Sequence, residues 1–220
     1  MRVVYSNIDC KTAISKSSLP GLDYSLNPYF GCEHCCRYCY SPSVFRGSIA
    51  PSSWGSFVKI KKNILEVLRN DLKKKIEGVI GLSTVTDPYQ PIEKQSKLTR
   101  DCIKLISGSK FKLSIQTKSI LFLRDIEVME RNKTDIGITI TTLDNNLAHI
   151  LEPNSSAPYE RMSAIAKAAS KGFNSWIFLG PIIPRVNDDI DRIDEILKFA
   201  RKNGVRMAIS GTLLVERMLT

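Results

Sequence analysis

The chain is 220 residues long, 43% hydrophobic, and carries a formal net charge of +10. That is enough apolar sequence for one barrel-sized core, with no second domain required. No apolar run reaches bilayer-spanning length, and Met1-Arg2-Val3-Val4-Tyr5 passes straight into polar residues. Neither a membrane span nor a signal peptide is predicted, and the expected compartment is the cytoplasm. There, six cysteines point to metal or redox roles rather than to a disulfide framework.

Residues 1–24 read as an irregular leader ending in the loop signal Ser17-Ser18-Leu19-Pro20-Gly21, and residues 25–220 as one domain. Short β-branched or apolar runs at 25–30, 78–85, 111–117, 136–142, 175–181 and 205–210 predict strands. Most are nearly continuous in hydrophobicity, as strands buried on both faces are. Helical patterns at 62–76, 95–107, 121–131, 159–171 and 188–203 lie between them. This alternation implies a parallel sheet with right-handed crossovers, and six units predict an α/β fold, a partial (β/α)6 barrel.

Functional groups of parallel barrels gather at the carboxyl ends of strands. The distinctive polar stretches fall there: Cys32 to Cys39 after the first strand, Thr86-Asp87-Pro88-Tyr89-Gln90 after the second, Thr117-Lys118-Ser119 after the third, Thr141 to Asp144 after the fourth, and Asn187-Asp188 after the fifth. Polar turns must end strands somewhere, but five on one rim predict a single mouth. No Gly-x-Gly-x-x-Gly or phosphate-loop lysine motif is present, so a nucleoside triphosphate or a Rossmann-bound nicotinamide has no support.

Three cysteines stand at the spacing Cys32-x3-Cys36-x2-Cys39. Three thiolates on so short a loop can hold three irons of a 4Fe-4S cluster and leave the fourth open, whereas electron-transfer clusters close every iron with cysteine. Cys35 permits a second reading, Cys32-x2-Cys35 abutting Cys36-x2-Cys39, four thiolates for a structural zinc. Zinc modules usually separate their pairs by a dozen or so residues, because the chain must turn around a tetrahedral ion. Cys102 lies in an apolar helical pattern and reads, like Cys10, as a buried small hydrophobe; His34 reads as a neighbour of the metal ligands rather than one of them.

The Cys-x3-Cys-x-aromatic-Cys pattern, with Tyr38 as the aromatic, resembles the signature of the radical S-adenosylmethionine enzymes. The surrounding Asn27-Pro28-Tyr29-Phe30-Gly31-Cys32-Glu33-His34, then Val85 to Glu93, Gln116-Thr117-Lys118-Ser119, Glu152-Pro153, and Pro181 to Pro184 with Asn187-Asp188, resemble the branch related to spore photoproduct lyase. The resemblance implies a partial barrel, a 4Fe-4S cluster on Cys32, Cys36 and Cys39, and S-adenosylmethionine chelating the open iron. Reductive cleavage then yields methionine and a 5′-deoxyadenosyl radical that abstracts hydrogen from a substrate. The family usually has glycine where Cys35 stands, so Cys35 is expected not to be a ligand.

By the same resemblance, Lys118 is expected to meet the cofactor's carboxylate, Tyr38 its adenine, and Thr139 its ribose, with Thr141 a neighbour of the same strand parity. Ser83 or Thr84 is expected at its amino end. Asp87, Tyr89 and Gln90 are candidates for pocket or substrate polarity, since hydrogen-atom abstraction needs no tuned general base. Glu152 and Arg161 are expected to form a structural ion pair.

Residues 1–120 hold 19 Lys and Arg against 9 Asp and Glu, and residues 121–220 hold 13 of each. The basic half suits a nucleic-acid partner, or else Lys59, Lys61, Lys62, Lys73, Lys74 and Lys75 coat a solvated surface. Nucleic acid is the leading substrate class, with a zinc-stabilised nucleic-acid module and an iron–sulfur electron carrier as the competing classes. Radical chemistry needs a reducing partner such as ferredoxin or flavodoxin. Gly211 to Thr220 contains neither cysteine nor tyrosine; spore photoproduct lyase, which repairs a thymine dimer, carries such hydrogen donors in its carboxyl-terminal portion, so the resemblance does not extend to thymine-dimer reversal by the same relay. A partner subunit completing the barrel wall, or a wall left open for a large substrate, is consistent with that short remainder.

Overall fold

The computed structural model describes residues 3–45 and 53–209. Ser210, the predicted end of the sixth strand, and the segment 211–220 lie outside them. In chain order, the strands are β1 (Val4–Ile8), β2 (Ile14–Lys16), β3 (Tyr24–Leu26), β4 (Tyr29–Phe30), β5 (Phe57–Lys61), β6 (Val79–Leu82), β7 (Lys112–Thr117), β8 (Thr134–Ile140), β9 (Asn174–Leu179) and β10 (Arg206–Ile209). The helices are α1 (Ser41–Val44), α2 (Ile64–Lys74), α3 (Glu93–Ser96), α4 (Leu98–Ser107), α5 (Asn145–Leu151), α6 (Pro158–Ser170) and α7 (Ile190–Lys202).

Seven strands form one sheet in the order β10-β9-β8-β7-β6-β3-β2. From β3 to β10 all six are parallel and stand in chain order, with β4 and β5 intervening between β3 and β6; only β2 is antiparallel, on β3. Among the described residues the sheet has two ends and does not close, so the predicted partial barrel of six parallel strands is the observed architecture. Along β7, β8 and β9 one parity is buried: Leu113 and Ile115, Ile136, Ile138 and Ile140, Ile177 and Leu179. Helices α4 and α6 pack on β7, β8 and β9. The other parity contributes Ser114, Gln116, Thr139, Trp176 and Phe178 to an internal cleft, as the two-residue repeat of a strand requires.

Three predicted features differ. The leader 1–24 is not irregular: β1 pairs parallel to β5, and β2 pairs with β3. Sequence periodicity over so short a stretch does not reveal it, because the partner of Val4 is Phe57. The predicted strand 25–30 is two strands in different sheets, β4 joining β5 and β1 in a separate three-stranded sheet. Asn27-Pro28 separates them, and proline has no N–H to continue a ladder. The predicted helix 121–131 is a 3-10 helix, Ile120–Val128, with Ser119 capping Leu121 N. Its buried Asp125 accepts from Arg100 Nη1 and Arg124 Nε, both at 2.7 Å, which adds polar contacts to the core packing of Phe122 and Ile126.

Candidate functional site

The cysteine loop leaves β4 through Gly31, whose φ is +93°. A β-carbon there would stand 2.4 Å from the carbonyl oxygen of Phe57, so only glycine fits the exit. The loop is then pinned from beneath. Glu33, buried, accepts from Tyr5 OH at 2.8 Å and from Ile92 N at 2.7 Å. Its N–H donates to Gln90 Oε1 at 2.9 Å, and its carbonyl accepts from Asn154 Nδ2 at 2.6 Å. Gln90 Nε2 donates to Gly31 O and Thr86 Oγ1.

Cys32, Cys36 and Cys39 line the cleft; Cys35 does not. The Cys35 thiol contacts the Trp54 carbonyl oxygen at 3.4 Å, and a β-carbon on Gly55 would stand 2.3 Å from Cys35 Sγ. Its φ is +51°, in the left-handed region where glycine is favoured. Among the described residues, no group of three or more His, Cys, Asp or Glu side chains is already drawn together around a metal position. Burial drives the Cys32 thiol well up and Cys36 to about 12. Thiols so placed stay protonated, and unreactive, until a metal displaces the proton.

Beside the thiols sits a network of charges. Asp87 Oδ1 accepts from Thr117 Oγ1 at 2.6 Å and Tyr89 N at 2.8 Å, and Oδ2 accepts from Lys118 N at 2.9 Å. His34 Nδ1 lies 3.3 Å from that Oδ2. Burial would raise the Asp87 carboxyl, but His34, the Thr117 hydroxyl and Lys118 outweigh it and hold it at about 2. Lys118 Nζ lies 5.7 Å from the centre of the Tyr38 ring. Burial pulls its ammonium down, while Cys36 and Cys39 in their thiolate form, with Glu152 and Asp87, hold it well above the usual lysine range. Tyr38 OH bonds to Glu152 and, at 2.9 Å, to Thr141 Oγ1. Arg161, 1% exposed, donates to Glu152 Oε2 at 2.6 Å and to the Thr139 carbonyl at 2.8 Å, the expected ion pair.

The cleft has a volume of about 440 Å³. Of the residues predicted from sequence, Cys32, Cys36, Cys39, Ser83, Thr84, Asp87, Lys118 and Thr139 line it. Tyr38 and Thr141 do not; their hydroxyls are spent on each other and on Glu152, behind the loop. Tyr89 and Gln90 do not line the cleft either. Both are buried under the loop, Gln90 as its brace and Tyr89 with its ring against Phe122, because the turn after Asp87 carries them away from the mouth. Asn187 likewise ties the carbonyls of Thr141 and Pro181 rather than facing the cleft. Cys102 is fully buried in α4, as expected, and Cys10 is partly buried against the core. Sequence reasoning missed Tyr40, whose OH bonds the Thr84 carbonyl, and Trp54, Ser114, Gln116, Trp176 and Phe178, all on the cleft. Strand parity was the available signal for Ser114, Gln116, Trp176 and Phe178; Trp54 carried none.

Beside His34 Nδ1, which has only Asp87 Oδ2 at 3.3 Å, two polar atoms on this wall, Ser83 Oγ and Trp54 Nε1, are buried without a hydrogen-bond partner among the described residues. Such atoms are costly unless something in the cleft satisfies them. Three thiols, a cation and two orphaned donors therefore fit a thiolate-held cluster with a polar small molecule beside it.

Comparison with known proteins agrees. The Radical SAM superfamily description matches residues 26–200, from the end of β3 into α7. An uncharacterized protein of Methanocaldococcus jannaschii is 36% identical over 182 residues, covering 82% of this chain and 68% of that protein. A spore photoproduct lyase variant superposes with a TM-score of 0.71 at 17% identity, over 89% of this chain and 57% of its own. Another variant, solved with bound AdoMet and dinucleoside spore photoproduct, gives 0.68 at 16% identity, over 93% and 60%. This chain thus spans less than two thirds of the lyase chains. The match takes in the whole cysteine loop and the parallel strands β6 to β9, and the chain belongs to the radical S-adenosylmethionine superfamily of enzymes.

Proposed function

We propose that the chain carries a 4Fe-4S cluster on Cys32, Cys36 and Cys39 and cleaves S-adenosylmethionine to act on a nucleic-acid substrate. The observation that carries this reading is the segregation of the thiols: three share one cleft and Cys35 is turned out of it. When bound, the cluster supplies one electron to the cofactor's sulfonium, releasing methionine and a 5′-deoxyadenosyl radical.

The protein's own part is binding, orientation and exclusion of water. The Lys118 ammonium, kept protonated by its anionic neighbours, pairs with the cofactor carboxylate. Asp87 holds the Lys118 backbone and stays an anion, so it neither donates a proton nor competes for one. Ser83 or Thr84 meets the amino end, and Thr139, braced by Gln116 Nε2 at 3.1 Å, meets the ribose. Tyr38 serves through its ring, which faces Lys118, and through its tether to Glu152. A small reducing protein of the ferredoxin or flavodoxin class supplies the electron.

Anaerobic reconstitution tests this reading. Expected are a broad visible absorption, about four irons per chain, and 5′-deoxyadenosine on addition of dithionite and S-adenosylmethionine. A colourless protein holding one zinc, or a reduced cluster that leaves the cofactor intact, overturns it.

A further inference from the structure

The floor of the cleft is not accounted for by groups that meet the cofactor. Gln116, Gly137, Trp176 and Arg206 stand in one register row across β7, β8, β9 and β10, and registered neighbours share a face of the sheet. Gln116 and Trp176 line the cleft, so Gly137 and Arg206 belong to the same face. The six-membered ring of Trp176 lies against Gly137, where a β-carbon would stand 2.4 Å from Cε2 and Cζ2. Phe178, the next cleft-lining residue of β9, meets the indole edge-on at 6.5 Å and 78°. Gln116 uses Nε2 on Thr139 and keeps Oε1 free among the described residues. Arg206 is exposed and makes no ion pair or hydrogen bond from its guanidinium among the described residues.

We infer that this row is a platform for one unpaired nucleobase of a polynucleotide, stacked on Trp176, read at its edge by the Gln116 amide and followed by a phosphate on Arg206. The inference rests on the reading above in taking this cleft as the reaction site. An indole stacks any base. An amide both donates and accepts, as a base edge requires. A guanidinium fork fits phosphate oxygens, and an unpaired one waits for an anion. A base reaches such a recess only when out of its stack, and the net charge of +10 draws a polyanion toward the protein. An aromatic side chain of a peptide would use the indole and leave Arg206 idle.

Cluster-loaded full-length protein is titrated, without oxygen, into a short fluorescein-labelled single-stranded oligonucleotide, and affinity is read by anisotropy. Trp176→Leu keeps apolar bulk and loses the stacking face; it weakens binding about tenfold or more. Trp176→Phe keeps a ring and stays within about threefold of native, and Arg206→Gln lowers the salt slope by about one. Should Trp176→Leu fail to take up cluster, Trp176→Phe and Arg206→Gln decide alone. Native affinity in both Trp176→Leu and Arg206→Gln overturns the platform, as does displacement of the oligonucleotide by an uncharged aromatic peptide. The same preparations are assayed for 5′-deoxyadenosine. Turnover without oligonucleotide binding overturns the platform only, and binding without turnover overturns only the cleavage reading.

Discussion

Replacing Arg161 by methionine takes the cation out of a pair closed to solvent, with Arg161 1% and Glu152 2% exposed. Glu152 then keeps its hydrogen bonds from Tyr38 and from Thr141 Oγ1, the latter at 2.7 Å, but loses the guanidinium at 2.6 Å. Breaking a buried pair from one side costs about 3–5 kcal/mol, because the remaining charge has neither water nor a partner. Glu152 also feels Lys118, which puts the expectation at the lower end. A chain of this size loses about 2–4 °C of melting temperature per kcal/mol, so a fall of roughly 6–12 °C is expected at neutral pH. Arg161→Met with Glu152→Gln removes the orphaned charge while keeping an acceptor for Tyr38 and Thr141, and recovers more than half of the loss.

The pH dependence has a definite sign. Burial would raise the Glu152 carboxyl, but Arg161, Lys118 and the two hydroxyls hold it below its ordinary value. Its stabilisation is therefore complete above the unfolded carboxylate pKa of about 4.3 and is lost as pH falls through the lower folded value. The gap between native and Arg161→Met proteins narrows in acid. Thermal unfolding followed by circular dichroism at neutral pH and near pH 4 measures both effects. A single-variant loss under about 1 kcal/mol, or a gap that widens in acid, would refute the reasoning.

Cys35→Gly puts the favoured residue at a φ of +51°; it raises stability by up to about 1 kcal/mol with native iron content, and a fall in iron would place this thiol among the ligands. Lys118→Ala lowers S-adenosylmethionine affinity at least about tenfold, an effect of about 1.4 kcal/mol, with cluster absorption unchanged; equilibrium dialysis reads it, and native affinity would remove Lys118 from the site. Gln90→Leu strands Glu33 N, while Gly31 O keeps Thr86 Oγ1 at 2.6 Å, and costs about 1–3 kcal/mol for the one stranded group. Its cluster uptake is slowed as the loop loosens, and native stability would show that Gln90 is not the brace.

What could be read from the sequence was what short-range pattern encodes. The three thiols at their spacing, the alternation of six parallel strands, and the ion pair of Glu152 with Arg161 all stand where the sequence put them. What could not be read was which way a polar residue turns once its strand has ended. Asp87 faces the cleft while Tyr89, two residues on, packs on Phe122 and Gln90, three on, holds the loop from beneath; for Gln90 that choice is made by Glu33 and Gly31, more than fifty residues away. Charge was similarly ambiguous. Lys73 and Lys74 close α2 on the exposed surface, and Lys75 Nζ lies 5.8 Å from the Tyr24 ring at the first residue of β3. These lysines sit by the amino end of that strand and the cysteine loop lies beyond the carboxyl ends, so the basic excess of the first half does not in itself describe the mouth. Lys118 and Arg206 are individually better evidence about what enters the cleft, one beside the thiols and the other on the cleft's face of the sheet. The test of a polyanionic substrate therefore belongs at Arg206, not at the lysines that give the chain its charge.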